Sequence, residues 1–178
     1  MTVWPEPVER VAAVLRGAGV DARIEEFAEG TPTAEAAARA IGCDPEEIVT
    51  SLVFICDGRP VLALVPGDRR ADPNKVAAAA QAGYARVARP EEVRAATGFE
   101  PGGVAPFPGS AVTRVLLERE LLLADTVWAG AGTTRHMVGL SPVDLARLAR
   151  AEPADLAEID EDESGYDSKP AQPRQPKE

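Results

Sequence analysis

The chain has 178 residues and a formal net charge of −10, with 45% hydrophobic but only 4% aromatic residues. That suits one domain with an aliphatic, alanine-rich core. The acidic balance disfavours a non-specific nucleic-acid binder, whose phosphate contacts need a basic surface, but does not exclude a protein that touches only a nucleic-acid end.

In chain order, Val8, Val11, Ala12 and Leu15 recur at helical spacing and are followed by Gly17 and Gly19, which predicts an opening helix with a glycine stop. Residues 22–27 read as a short strand. Thr31-Pro32 then caps a second helix over "TAEAAARAIG". Asp44-Pro45-Glu46-Glu47 carries the same start signal, with Asp as cap and Glu three residues on. Two β-rich runs, 50–56 and 61–65, flank Asp57-Gly58, a pair that favours a tight hairpin turn. Asp72-Pro73 opens a helix over "PNKVAAAAQAG", residues 85–88 form a strand, and Arg89-Pro90 opens "PEEVRAATG". After the loop "GGVAPFPG" come strands at 112–117, 126–129 and 136–140, then a last helix, "PVDLARLAR", capped by Ser141.

Beyond Arg150 the periodicity fades. The segment from Ala151 to Glu178 holds nine acidic and three basic residues, against 20 and 16 in the first 150. It is Pro-rich and is expected to be disordered, so a domain over 1–152 is followed by an acidic tail over 153–178 that offers a contact to a protein partner. Deleting everything after Leu156 is expected to leave folding intact. No run of roughly 18 apolar residues predicts a membrane span, and the N-terminus lacks the basic-then-apolar pattern of a secretory signal. Cys43 and Cys56 form no close-spaced motif, and a reducing cytoplasm is the expected location.

The fold class expected is mixed α/β, with one compact, largely antiparallel sheet of six or seven strands surrounded by helices; the direct hairpin excludes a doubly wound parallel sheet. A metal centre is not expected, because the chain has a single histidine, His136, and no Cys-x-x-Cys pair. His136 sits beside an apolar run and is either structural or a wall of a site. "GAGTT" lacks the Lys-Ser/Thr ending of a phosphate loop, so Gly132 belongs either to a tight turn or to a backbone that a ligand approaches closely. Arg69 and Arg70 end the hairpin as a candidate phosphate grip or as solvated surface residues. The loop "TGFEPGGVAPFPGS" is either a plain connection or a set of converging N–H groups that hold a carbonyl oxygen. The hairpin strand opens with two hydroxyls, Thr50 and Ser51, an unusual polar entry to an apolar strand.

The order "SLVFICDGRPVLALVPGDRRADPNKV", "GGVAPFP", "LLERELLLADTVWAGAGT" and "LSPVDLARL" resembles the YbaK/prolyl-tRNA-editing-domain family over residues 8–150. The resemblance implies a compact mixed sheet ringed by helices. It implies hydrolysis of the ester that joins an amino acid such as cysteine, alanine or serine to the 3′ end of the wrong tRNA, without a metal or other cofactor. It implies that Gly102, Gly103, Val104, Pro106 and Phe107 form the loop that orients the carbonyl. Thr50 and Gly103 are then the expected catalytic positions. Ser51, Gly102, Val104, Pro106, Phe107, Arg69, Gly132 and His136 are expected to bind the substrate. One departure stands out: the family's "IVKSLVF" reads "IVTSLVF" here, so Thr50 occupies the position of the lysine that binds the substrate end.

Overall fold

The computed structural model describes residues 3–159. Helix α1 (Glu6–Ala18) starts after Pro5 and ends at Gly19, whose φ of 64° is the left-handed conformation that glycine adopts without steric cost. Strand β1 (Arg23–Glu26) leads to α2 (Ala34–Ile41), whose first turn is capped by Thr33 Oγ1 accepting the Ala36 N–H at 3.0 Å. The Asp44-Pro45 signal yields only a single 3₁₀ turn, Pro45–Glu47, because the chain enters β2 (Val49–Cys56) immediately afterwards. Strand β3 (Arg59–Pro66) completes the hairpin.

The rest follows as α3 (Pro73–Ala79), β4 (Ala85–Val87), α4 (Pro90–Thr97), β5 (Arg114–Glu118), β6 (Val127–Gly130), β7 (His136–Leu140), α5 (Pro142–Ala149) and β8 (Glu152–Ala154).

The strands form two sheets, which corrects the expected single sheet of six or seven. The larger has the order β4-β2-β3-β5-β8 and the smaller β1-β7-β6. The hairpin and the β2–β4 ladder are antiparallel, while β3–β5 and β5–β8 are parallel. The smaller sheet is antiparallel throughout. One isolated parallel bridge, Ile48 to Trp128, joins the sheets. The eighth strand, "EPA", gave no signal in the sequence because it is three residues long and contains proline, and it lies parallel against β5.

Strand β3 explains why "VLALV" is continuously apolar. Leu62 and Leu64 enter the main core with Val49, Val53, Leu117, Ala129, Val138 and the inner faces of α1, α4 and α5. Val61, Ala63 and Val65 enter a second cluster with Phe54, Leu116, Val76 of α3 and Leu156. A strand covered on both faces has no polar side to alternate with. A third, smaller cluster of Ala37, Ala38, Ile48 and Met137 packs α2 over the seam between the sheets.

The packed chain continues past 152. Glu118, 4% exposed, accepts the N–H groups of Leu156 at 2.6 Å and Ala157 at 2.8 Å. Lys75 Nζ reaches the Ala157 carbonyl at 2.8 Å, and Arg69 Nη2 reaches the Glu158 carbonyl at 2.6 Å. The residues just after Leu156 are therefore bonded to the body. The expected disorder of the acidic tail concerns, from residue 160 onward, positions outside the described residues. Among the described residues no helix is long and apolar enough to cross a membrane.

Candidate functional site

A cavity of about 160 Å³ opens at the seam where the two sheets part. Four segments wall it: the start of α2 with its preceding turn (Thr31 to Ala34, and Ala37), the entry to β2 (Ile48 to Ser51), the loop at Gly102 and Val104, and the end of β6 with the following turn and β7 (Gly130, Thr133, His136, Met137). Its volume equals roughly five water molecules at liquid density. Ala34, Ala37, Ile48, Val49, Val104 and Met137 make the apolar surface. The polar residues along it are Thr31, Thr33, Thr50, Ser51, Thr133 and His136. No Lys, Arg, Asp or Glu lines it. Among the described residues no three His, Cys, Asp or Glu side chains are grouped to hold a metal ion.

Thr50 and Ser51 both border the cavity, but strand alternation sends their side chains to opposite faces. Thr50 shares the face of Leu52 and Phe54, whereas Ser51 shares that of Val49 and Val53. The Ser51 Oγ is buried and makes no hydrogen bond. His136 is 4% exposed. Its Nδ1 lies 2.6 Å from Thr133 Oγ1, which also accepts the Arg135 N–H at 3.1 Å. Trp4 meets the imidazole edge to face, with ring centroids 5.6 Å apart, and Glu26 Oε2 stands 4.0 Å from Nε2. The ring is thus held by a hydroxyl and an aromatic neighbour at the cavity wall.

The glycines of the two loops serve close packing. A β-carbon on Gly103 would lie 2.9 Å from Thr133 Cα, and one on Gly130 would lie 2.9 Å from the Val104 carbonyl oxygen. Backbone therefore lies on backbone, and the 102–104 loop is pressed onto the β6–β7 turn. The Gly103 N–H donates to the Glu100 carbonyl at 3.0 Å, so it is already engaged and does not point a free donor at a substrate carbonyl.

Several expected residues lie elsewhere. Gly132, with φ of 106°, faces Pro7, whose carbonyl oxygen would be 2.7 Å from an added β-carbon, so α1 rather than a ligand makes the close approach. Phe107 lines a separate cavity of about 470 Å³ between the 107–115 segment, α1 and α5. Pro106 is buried. Arg69 binds Glu120 Oε1 at 2.5 Å as well as the Glu158 carbonyl, which turns it toward the C-terminal segment. Thr31, Thr33, Gly130, Thr133 and Met137 were missed. Thr31 had read only as a helix cap, a task the structure gives to Thr33 instead, and the others come together only through the tertiary fold.

Neither cysteine takes part. Burial raises the Cys56 thiol above its ordinary value, with Asp57 adding to the effect; burial and then Glu47 do the same for Cys43.

The fold and site define a small α/β domain with a cavity at a sheet seam. A family model described as the aminoacyl-tRNA editing domain matches residues 28–148, and the chain belongs to that family. It is 33% identical over 127 residues to the uncharacterised protein YwhH of Bacillus subtilis strain 168, covering 71% of this chain and 80% of that one. It is 35% identical over 123 residues to the proline–tRNA ligase of Nitratidesulfovibrio vulgaris strain DP4, covering 69% of this chain but only 21% of the ligase. A crystal structure described as a candidate trans-editing enzyme for prolyl-tRNA synthetase superposes with a TM-score of 0.81 at 35% identity, over 88% of this chain and all of that one.

Proposed function

We propose that the protein is an aminoacyl-tRNA deacylase that cleaves the ester between a small, wrongly attached amino acid and the terminal ribose of tRNA. The observation that carries this reading is the seam cavity itself. In a chain of the editing family, it is the place where Thr50, Ser51, Gly102, Val104 and His136 converge. Its size suits a small aminoacyl group, and its polar residues suit an ester and a ribose edge. A water oxygen bonds to the ester carbon, the bond from that carbon to the ribose oxygen breaks, one water proton ends on the ribose oxygen and the other passes to solvent. The amino acid leaves as its carboxylate. The residues hold the ester, the water and the ribose in line, which is where most of the rate gain of a bound reaction arises.

The absence of a charged wall favours one alternative, a family member that binds the aminoacyl end, or a protein through the acidic tail, without turnover. Thr50 supplies a hydroxyl where the family pattern has an ammonium, and no arginine lines the cavity in its place. A panel of aminoacyl-tRNAs decides between the two. Hydrolysis of at least one mischarged species is expected, and no turnover on any member overturns the hydrolase reading.

A further inference from the structure

The cavity exists because β2 changes neighbours within a few residues. At Ile48 it bridges β6, and from Phe54 it pairs with β4. Between them lies Ser51, and no strand among the described residues pairs with that edge there.

The direction of its peptide groups follows from the ladder. The two-residue Asp57-Gly58 turn makes Cys56 and Arg59 a hydrogen-bonded pair, so the even residues of β2 bond to β3. Ile48 agrees, its carbonyl accepting the Gly67 N–H at 2.8 Å on the β3 side. The odd residues face away, as Val53 does when its carbonyl accepts the Ala88 N–H at 2.9 Å. Ser51 therefore turns both its N–H and its C=O to the open edge at the seam. Its buried side-chain oxygen is also without a hydrogen-bond partner. By contrast, the Gly103 N–H is bonded to Glu100.

The geometry points to the main chain of Ser51 as the group that recognises the aminoacyl moiety, pairing with it as a strand residue pairs with its neighbour. The Ser51 N–H donates to the ester carbonyl oxygen and stabilises it as it becomes an oxyanion. The Ser51 C=O accepts from the substrate's α-ammonium. An α-amino ester presents the same donor and acceptor as one residue of a β-strand, and a hydrogen-bonded pair exchanges both bonds. This inference rests on the deacylase reading and names the atoms it uses. It also accounts for a site with no cation, since a peptide N–H can serve where a lysine is missing.

The test replaces the peptide N–H of residue 51 by an ester oxygen, introducing the hydroxy-acid analogue of serine by nonsense suppression, so that the side chain is kept. Ser51→Pro removes the same N–H by ordinary mutagenesis, and thermal melts establish that each variant folds. The parent and the backbone-ester protein are assayed on seryl-, alanyl- and cysteinyl-tRNA, and the parent also on propionyl-tRNA, which lacks the amine. The expected result is a kcat/KM lowered about 10²–10³-fold in the backbone-ester protein, and propionyl-tRNA cleaved roughly tenfold to a hundredfold more slowly than alanyl-tRNA by the parent. A kcat/KM within about threefold of the parent, or equal cleavage of the two acyl groups, overturns the inference. If the parent cleaves no ester, the deacylase reading fails by itself, and binding of 3′-alanylamino-3′-deoxyadenosine against its propionyl counterpart decides the pairing. Tighter binding of the alanyl compound, lost in the backbone-ester protein, sustains it; equal binding or none overturns it.

Discussion

Thr133 Cα lies 2.9 Å from where a β-carbon on Gly103 would stand, so the loop after α4 rests on the β6–β7 turn with no room for a side chain. Gly102 and Thr133, on either side of that contact, both line the cavity. Gly103→Ala forces one backbone off the other. Overpacking of this kind costs about 1–3 kcal/mol. Urea unfolding is expected to show a loss in that range, with kcat/KM on the best aminoacyl-tRNA falling as the mouth widens. An unchanged midpoint would mean that the loop moves freely.

Thr50→Lys places an ammonium on a wall that has no charged neighbour among its lining residues. A preorganised donor to a developing oxyanion is worth about 10²–10³ in rate. If the parent is a weak deacylase, the variant should gain activity of that order, read as kcat/KM on the tRNA panel. Equal activity in both proteins would mean that threonine is an accepted variation and that the cation is not needed.

Glu118 is a buried carboxylate with a structural task, holding the N–H groups of Leu156 and Ala157. Glu118→Ala leaves both donors in a buried place without their acceptor, at a cost of about 1–3 kcal/mol each. Thermal melts of Glu118→Ala and of a chain ending at Ala151 should both shift downward. The shorter chain should shift further, because it also loses β8 and the fully buried Leu156. An unshifted melt for that chain would show that the segment is only laid on the surface.

Glu92 provides a pH signature. Arg86 grips it bidentately at 2.7 and 2.9 Å, and the Arg89 N–H donates to it at 3.0 Å. The Arg86 hydrogen bonds, followed by the Arg89 N–H, hold its carboxyl well below the usual carboxylate range. A carboxylate whose pKa is lower in the folded than in the unfolded chain stabilises the fold above the unfolded value, about 4.3, and loses that contribution as pH falls below it. Glu92→Gln should therefore be less stable than the parent at pH 7, with the gap narrowing steadily as pH is lowered from about 4 toward the folded-state value. A gap that stays constant across this range would assign the effect to packing instead.

Apart from β8 and the short turn at Pro45–Glu47, the elements were legible in the sequence because their causes are local. Apolar spacing set the helices, Asp72 and Ser141 capped two of them, and Asp57-Gly58 fixed the hairpin together with its register, while the cap of α2 is Thr33 and not the expected Thr31. The motif order was enough to place the family. What the sequence left open depends on contacts between distant segments. The division into two sheets rests on which neighbour β2 takes at Ile48 and at Phe54, and nothing local to either residue states it. Arg69 turns to Glu120 and Glu158 because β8 brings the C-terminal segment alongside, although "PGDRR" read by itself suited a phosphate. Gly132 is a glycine because Pro7 packs against it. The polar start of β2 shows the division most clearly. The sequence put two hydroxyls there, but only the fold parts the sheets beside them, and no strand among the described residues pairs with Ser51 on that side.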